Sequence, residues 1–270
     1  MVGKINTVQT AIKFVTIDDN RYAVKHIHVH ENTHIPVLVF LHEGLGCIEL
    51  WRDFPEKICN ATGLNGIVYD RLGHGKSDPL PQHRTPAYLH DEALIYLPPF
   101  LEKTGVDNPF FIGHSDGGTI ALLYAAQHPG RTAGFITEAA HVFLEDITVR
   151  GIQKAVEAYE SGKLKKGLIK YHGDKTDALF YGWAYTWLSP EFRHWNIVDE
   201  LKSIYAPSLI IQGNDDEYGT EKQVDAIVNT VQGETEKCII PECGHVPHHQ
   251  AGDAVTERMV EFIKTVINGI

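Results

Sequence analysis

The sequence predicts an α/β protein with a mostly parallel, doubly wound sheet and a helical insertion late in the chain. Three observations carry this. Short continuous apolar runs recur with helix-compatible stretches of ten or more residues between them, the rhythm of strand–helix–strand units and therefore of a parallel sheet. From about residue 144 to 204 that rhythm stops, and the segment reads as helices only. From residue 207 it resumes. The 270 residues, 43% hydrophobic and 22% charged, suit one large domain carrying such an insertion. The expected division is a core of residues 1–144 and 205–270 with a helical lid at 145–204.

The elements follow in order. Residues 7–17 and 22–30 alternate polar and apolar side chains, as half-buried strands do. The second places His26, His28 and His30 on one face, with Ile27 and Val29 turned inward. No carboxylate or cysteine joins that pattern, so a solvated strand face is expected there rather than a metal patch. Residues 36–41 are continuously apolar, the mark of a strand covered on both faces. They run into His42-Glu43-Gly44-Leu45-Gly46, a glycine-rich turn. A helix carrying Trp51 and Phe54 ends near 59–63. A buried-type strand at 66–70 precedes the turn-rich loop 71–77, where Asp70 is expected to hold loop N–H groups. A helix over about 86–103 leads to a strand at 108–113.

That strand ends in Gly113-His114-Ser115-Asp116-Gly117-Gly118, and a helix-compatible run begins at Thr119. A strand that turns at once into a helix strains the corner residue. Only very small side chains fit two positions before and after it, and the corner side chain is pushed outward. Ser115 is therefore the candidate nucleophile. Helix-start N–H groups beside it favour developing negative charge. A fifth buried-type strand at 133–138 follows.

In the insertion, 147–159 and 164–171 read as amphipathic helices. Residues 180–187 are dense in aromatics, with Trp183 and Trp187 as candidate pocket walls. Beyond it come a strand at 207–212, the acidic run Asp215-Asp216-Glu217, a helix at 221–231, a last strand at 237–240, the loop Cys243-Gly244-His245, and a closing helix at 253–267. Any of the three acids can orient His245 on this reading.

Composition narrows the partners. A formal net charge of -11 with no basic run argues against nucleic acid. No stretch approaches the ~20 apolar residues of a membrane span, and the start shows no signal-peptide pattern. Cys47, Cys59, Cys238 and Cys243 lack paired spacing, which suggests reduced thiols, a cytoplasmic setting and no zinc site. A small-molecule substrate is the expected partner, with no cofactor. Oligomeric state is not encoded in any feature of the sequence.

Ser115, the acidic run and His245 lie in that chain order on three loops at strand ends. Together with 42–46, 70–77, 213–216 and 243–245, this order resembles the α/β-hydrolase superfamily, and within it the small lidded esterases and enol-lactone hydrolases. The resemblance covers nearly the whole chain from residue 37. It implies a Ser-His-Asp triad in which Ser115 attacks a carbonyl, His245 is the base and the acid falls on Asp216, three residues after the strand-ending glycine. It implies an oxyanion hole from the backbone N–H groups of Gly44 and Asp116. Esters, lactones and similarly activated carbonyls are the implied substrates. Carbon–carbon hydrolysis, perhydrolysis, a lyase reaction, or a non-catalytic receptor on the same fold are the alternatives. Glu43 departs from the glycine common in relatives. It is expected to point away, or, if it enters the pocket, to have its pKa raised by desolvation. His114 and His141 are further pocket candidates.

Overall fold

A computed structural model describes residues 9–29 and 36–269. His30 and the first residues of the opening strand lie outside them. Eight strands form one sheet: β1 (Gln9–Ile17), β2 (Asn20–His28), β3 (Val37–Leu41), β4 (Gly66–Tyr69), β5 (Pro109–His114), β6 (Gly134–Glu138), β7 (Ser208–Gly213) and β8 (Thr235–Ile240). Their spatial order is β1-β2-β4-β3-β5-β6-β7-β8. β1 pairs antiparallel with β2, and β2 with β4; all other pairs are parallel. Every apolar run read as a strand is one, with ends shifted by a residue or two.

Both faces are covered. Leu38, Phe40, Phe110, Ile112, Leu209 and Ile211 pack against the helices Phe54–Thr62 and Gly252–Asn268. The alternate residues Val39, Leu41, Phe111 and Ile210 meet the stretch 88–104 and the helices Asp116–Gln127 and Glu221–Thr230. A period of two with an apolar partner on each side explains the continuous apolar runs.

The expected helix at 86–103 is not uniform. Tyr88–Asp91 and Leu97–Thr104 are α-helical, but Glu92–Tyr96 forms a π turn. Pro98 and Pro99 have no N–H to return to the carbonyls four residues earlier, so the coil widens just before them. The insertion is helical: Asp146–Glu160, Lys163–His172 and Thr176–Leu188, then short 3-10 turns. Among the described residues no helix is long and apolar enough to cross a membrane, and no group of His, Cys, Asp or Glu is placed to hold a metal ion.

The chain leaves β3 for β4 on one side and returns to β5 on the other. Loops diverge at the C-terminal ends of β3 and β5, opening the crevice where open α/β sheets bind ligands.

Candidate active site

Ser115 occupies the corner after β5 with φ 52° and ψ -115°, a conformation rarely adopted by a residue with a side chain. Its N–H donates to the Glu138 carbonyl at 2.8 Å, and its own carbonyl accepts from Thr119 N–H at 3.1 Å. A Cβ at Gly113 would collide with the Gly117 backbone, and one at Gly117 with the Leu41 carbonyl. The glycine spacing is thus dictated by backbone approach on both sides of the serine.

The loop after β8 brings His245 to this corner. His245 Nε2 lies 3.0 Å from Ser115 Oγ, and its Nδ1 lies 2.9 and 3.0 Å from the two oxygens of Asp216. Asp216 Oδ1 also accepts from Tyr218 N–H at 2.8 Å, and Oδ2 from Gln212 Nε2 at 3.2 Å. Burial pushes the Asp216 carboxyl up, but His245 and the Tyr218 N–H outweigh it and hold it below its usual range. The neighbouring acids do other work: Asp215 is exposed, and Glu217 Oε2 accepts from the His245 N–H at 3.2 Å. Ser115 and His245 are only 8% and 9% exposed, so a substrate must reach them past covering side chains. Tyr218 and His141 lie against the His245 ring at 4.7 and 5.8 Å.

Gly44 sits beside this corner. A methyl there would run into the Trp183 indole and the Asp116 carboxylate. The loop is braced from behind by Arg71, fully buried, whose Nη2 donates to the carbonyls of Glu43 at 2.8 Å and His42 at 3.3 Å. Glu92 and Asp116 each lie 3.8 Å from its guanidinium. Asp70 accepts from Ile48 N–H at 2.7 Å and Lys76 N–H at 2.8 Å, the loop-holding role expected of it.

Residues 36–161 match the sequence model of a family described as alpha/beta hydrolase fold. The 2-hydroxy-6-oxo-6-phenylhexa-2,4-dienoate hydrolase of Burkholderia cepacia is 24% identical over 94% of this chain and 96% of its own length. Proline iminopeptidase of Lactobacillus delbrueckii subsp. bulgaricus is 23% identical over 87% of this chain and 92% of its own. The solved 2-hydroxy-6-oxo-6-phenylhexa-2,4-dienoate hydrolase of Rhodococcus sp. strain RHA1 superposes with a TM-score of 0.82 at 13% identity, covering 96% of this chain and all of that one.

The chain has the α/β-hydrolase fold, and residues 36–161 carry that family's sequence pattern. The remaining candidates are placed as follows. Trp183 packs at Gly44. Trp187 Nε1 donates to Tyr88 Oη at 2.6 Å, and Tyr88 in turn donates to Asp116 Oδ2 at 2.9 Å. His141 Nε2 lies 3.2 Å from the Tyr218 carbonyl, which makes it the protonated nitrogen; its Nδ1 is buried with no partner among the described residues. Both nitrogens of His114 are engaged. Nε2 meets the His245 carbonyl at 2.7 Å, and Nδ1 faces Glu43 Oε2 at 3.7 Å.

For Glu43 the conditional expectation, a carboxyl raised by desolvation, is not met. Burial does push its carboxyl up, but His114 foremost overcomes this and the pKa falls to about 2. Desolvation was legible in the sequence; the histidine that reverses it was not. The roles of several residues of the site could not be read locally. Arg71, Tyr88 and the Glu138–His248 pair, 2.7 Å apart beneath His114, are recognisable only once distant loops meet.

Segment 145–204 is tied to these loops. His172 Nδ1 accepts from Gly75 N–H and its Nε2 donates to the Leu45 carbonyl, both at 2.9 Å. Lys175 Nζ donates to the carbonyls of His74 at 3.1 Å, Gly75 at 2.8 Å, and Ser77. Between residues 79–86 and the helix Thr176–Leu188 lies a cavity of about 870 Å³. Arg84 lines it and lies 5.0 Å over the Tyr88 ring.

Proposed function

We propose that this α/β hydrolase cleaves an ester, lactone or similarly activated carbonyl through an acyl-enzyme on Ser115. The observation that carries the reading is the unbroken hydrogen-bonded line Ser115 Oγ, His245, Asp216. His245 takes the serine proton as the oxygen attacks and returns it to the leaving group. Asp216 fixes the imidazole with Nε2 toward the serine and stabilises the imidazolium. The developing oxyanion is received by the backbone N–H groups of Gly44 and Asp116, where the helix start adds partial positive charge.

In this reading residues 145–204 are a cap on a core of 1–144 and 205–270, tied down through His172 and Lys175. Trp183, Trp187 and His141 wall the substrate space. The unpartnered His141 Nδ1 would accept a hydroxyl or N–H of the substrate. Carbon–carbon bond hydrolysis on the same three residues is the second reading, supported by the names of the Burkholderia cepacia and Comamonas testosteroni relatives, both hydrolases of 2-hydroxy-6-oxo acids.

The test is fluorophosphonate labelling with turnover of a short-chain aryl ester and of a 2-hydroxy-6-oxo-dienoate. Ser115 is expected to label, and Ser115→Ala to lose both labelling and turnover. A folded wild-type chain that neither labels nor turns over any member of the panel refutes the proposal; which substrate is turned over separates the two readings.

A further inference from the structure

Glu43 stands next to Gly44, and a free carboxylate beside an oxyanion donor opposes the charge that donor must stabilise. The structure places His114 within ion-pair distance of that carboxylate. His114, 2% exposed, has Nε2 at 2.7 Å from the His245 carbonyl, which accepts and never donates, so that nitrogen carries a proton. Its other nitrogen faces Glu43 Oε2, too far for a hydrogen bond but within ion-pair reach. The Glu43 side chain also folds back over Gly46, where a Cβ would collide with its carboxylate. His245 is held on both main-chain groups by side chains, its N–H by Glu217 and its carbonyl by His114.

We propose that Glu43 and His114 act as one ionised unit: His114 is an imidazolium that neutralises the carboxylate beside the oxyanion donors and holds the main chain of the base His245. This rests on the serine-hydrolase reading and deepens it. The unit joins three loops, those after β3, β5 and β8, so the acceptor site, the nucleophile corner and the base move as one piece. His114 and Glu43 are positioning residues, since neither meets the reacting atoms. The neighbourhood favours the charged imidazole on balance. Burial opposes the charge, but Glu43, the buried Glu138 and the His245 carbonyl draw a proton to His114; the rings of His245 and His248 lie 5.2 and 5.1 Å away. His42, His172 and His249 also interact with Glu43, and His249 with His114.

A double-mutant cycle tests this on the full chain. His114→Gln keeps a side-chain N–H for the His245 carbonyl but leaves Glu43 uncompensated. It is expected to lower kcat about 100-fold with little change in KM. Glu43→Gln, which removes the charge itself, is expected to cost about 10-fold or less. The variant carrying both substitutions is expected to recover at least ~10-fold over His114→Gln alone, a coupling of at least about 1.4 kcal/mol once the cost of Glu43→Gln is included. Losses that simply multiply refute the electrostatic role and leave only packing.

Nitrogen-15 NMR of histidine-labelled protein gives a readout that does not depend on activity. The His114 signals, identified by their loss in His114→Gln, are expected to show both ring nitrogens protonated in the wild type at about pH 7.5, and one only in Glu43→Gln. A neutral His114 in the wild type overturns the proposal. Since Ser115 labelling by fluorophosphonate reports the triad separately, a labelled chain with an additive cycle sinks this inference alone. An unlabelled chain sinks the reading beneath it.

Discussion

Acid should weaken this fold well before its carboxylates titrate, and His42 and His74 are the reason. Both rings are essentially inaccessible, 4.6 Å apart, with the Arg71 guanidinium beside them. His42 Nδ1 meets the Glu43 carbonyl at 2.8 Å, while its Nε2 accepts from the Arg71 N–H at 3.1 Å, so the neutral tautomer is the one the site uses. Burial first, then Arg71, holds both groups well below the usual histidine pKa. The sign follows. A depressed folded-state pKa means that the unfolded chain takes up protons that the folded chain refuses. The stabilisation is present above about pH 6.5 and is lost as the pH falls below it. For a ring that stays neutral when folded, the loss is RT ln(1 + 10^(6.5 − pH)), about 1.4 kcal/mol at pH 5.5 against less than ~0.1 at pH 7.5. The two rings together remove about 2.7 kcal/mol, a large part of a typical 5–15 kcal/mol stability. His141 and His172 are also depressed by burial and act in the same direction, whereas His114 is raised and opposes it. The assay is therefore a difference of differences: urea unfolding at pH 7.5 and 5.5, wild type against His74→Gln. The variant loses absolute stability as well, but its pH-dependent loss is expected to shrink by about 1.3 kcal/mol. An unchanged pH dependence would show that His74 titrates normally and would refute the reasoning.

Two further outcomes are expected. Asp216→Asn keeps the size of the acid but presents an amide to His245 Nδ1, favouring the wrong tautomer; kcat for an aryl ester should fall roughly 10³- to 10⁴-fold with KM nearly unchanged, and a drop below tenfold would assign the acid elsewhere. Lys175→Met removes the ammonium shared by the carbonyls of His74, Gly75 and Ser77; it should cost about 2 kcal/mol in urea unfolding and shift the first cut in limited proteolysis into 145–204, and an unchanged digestion pattern would dismiss the tie.

What could be read from the sequence divides along a physical line. Demands of backbone geometry are local and leave a local trace. The glycines about Ser115 are needed because Leu41 and Gly117 come within touching distance, so the spacing itself announced the corner. The apolar runs announced strands covered on both faces, and the loss of their rhythm after residue 144 announced the helical segment. Even the π turn at Glu92–Tyr96 had a visible cause in Pro98-Pro99, although periodicity alone merged it into one helix.

Compensation of charge leaves no such trace. Whether a carboxylate in an apolar setting is driven up or down depends on which cation arrives from elsewhere in the chain. For Glu43 that cation comes from the end of β5, and the sequence carries no mark of the meeting. Arg71 teaches the same lesson. Its place in a turn-rich loop gives no sign of burial. It is buried because Glu92 and Asp116, from two different helical stretches, lie 3.8 Å away and the carbonyls of His42 and Glu43 accept its N–H groups. Such groups are costly to bury singly and tolerable only together, so each can be placed only after the others are. That interdependence also argues that the acidic and basic residues around Gly44 form one system. Replacing any member should disturb the loop through the charge left behind more than through the contact removed.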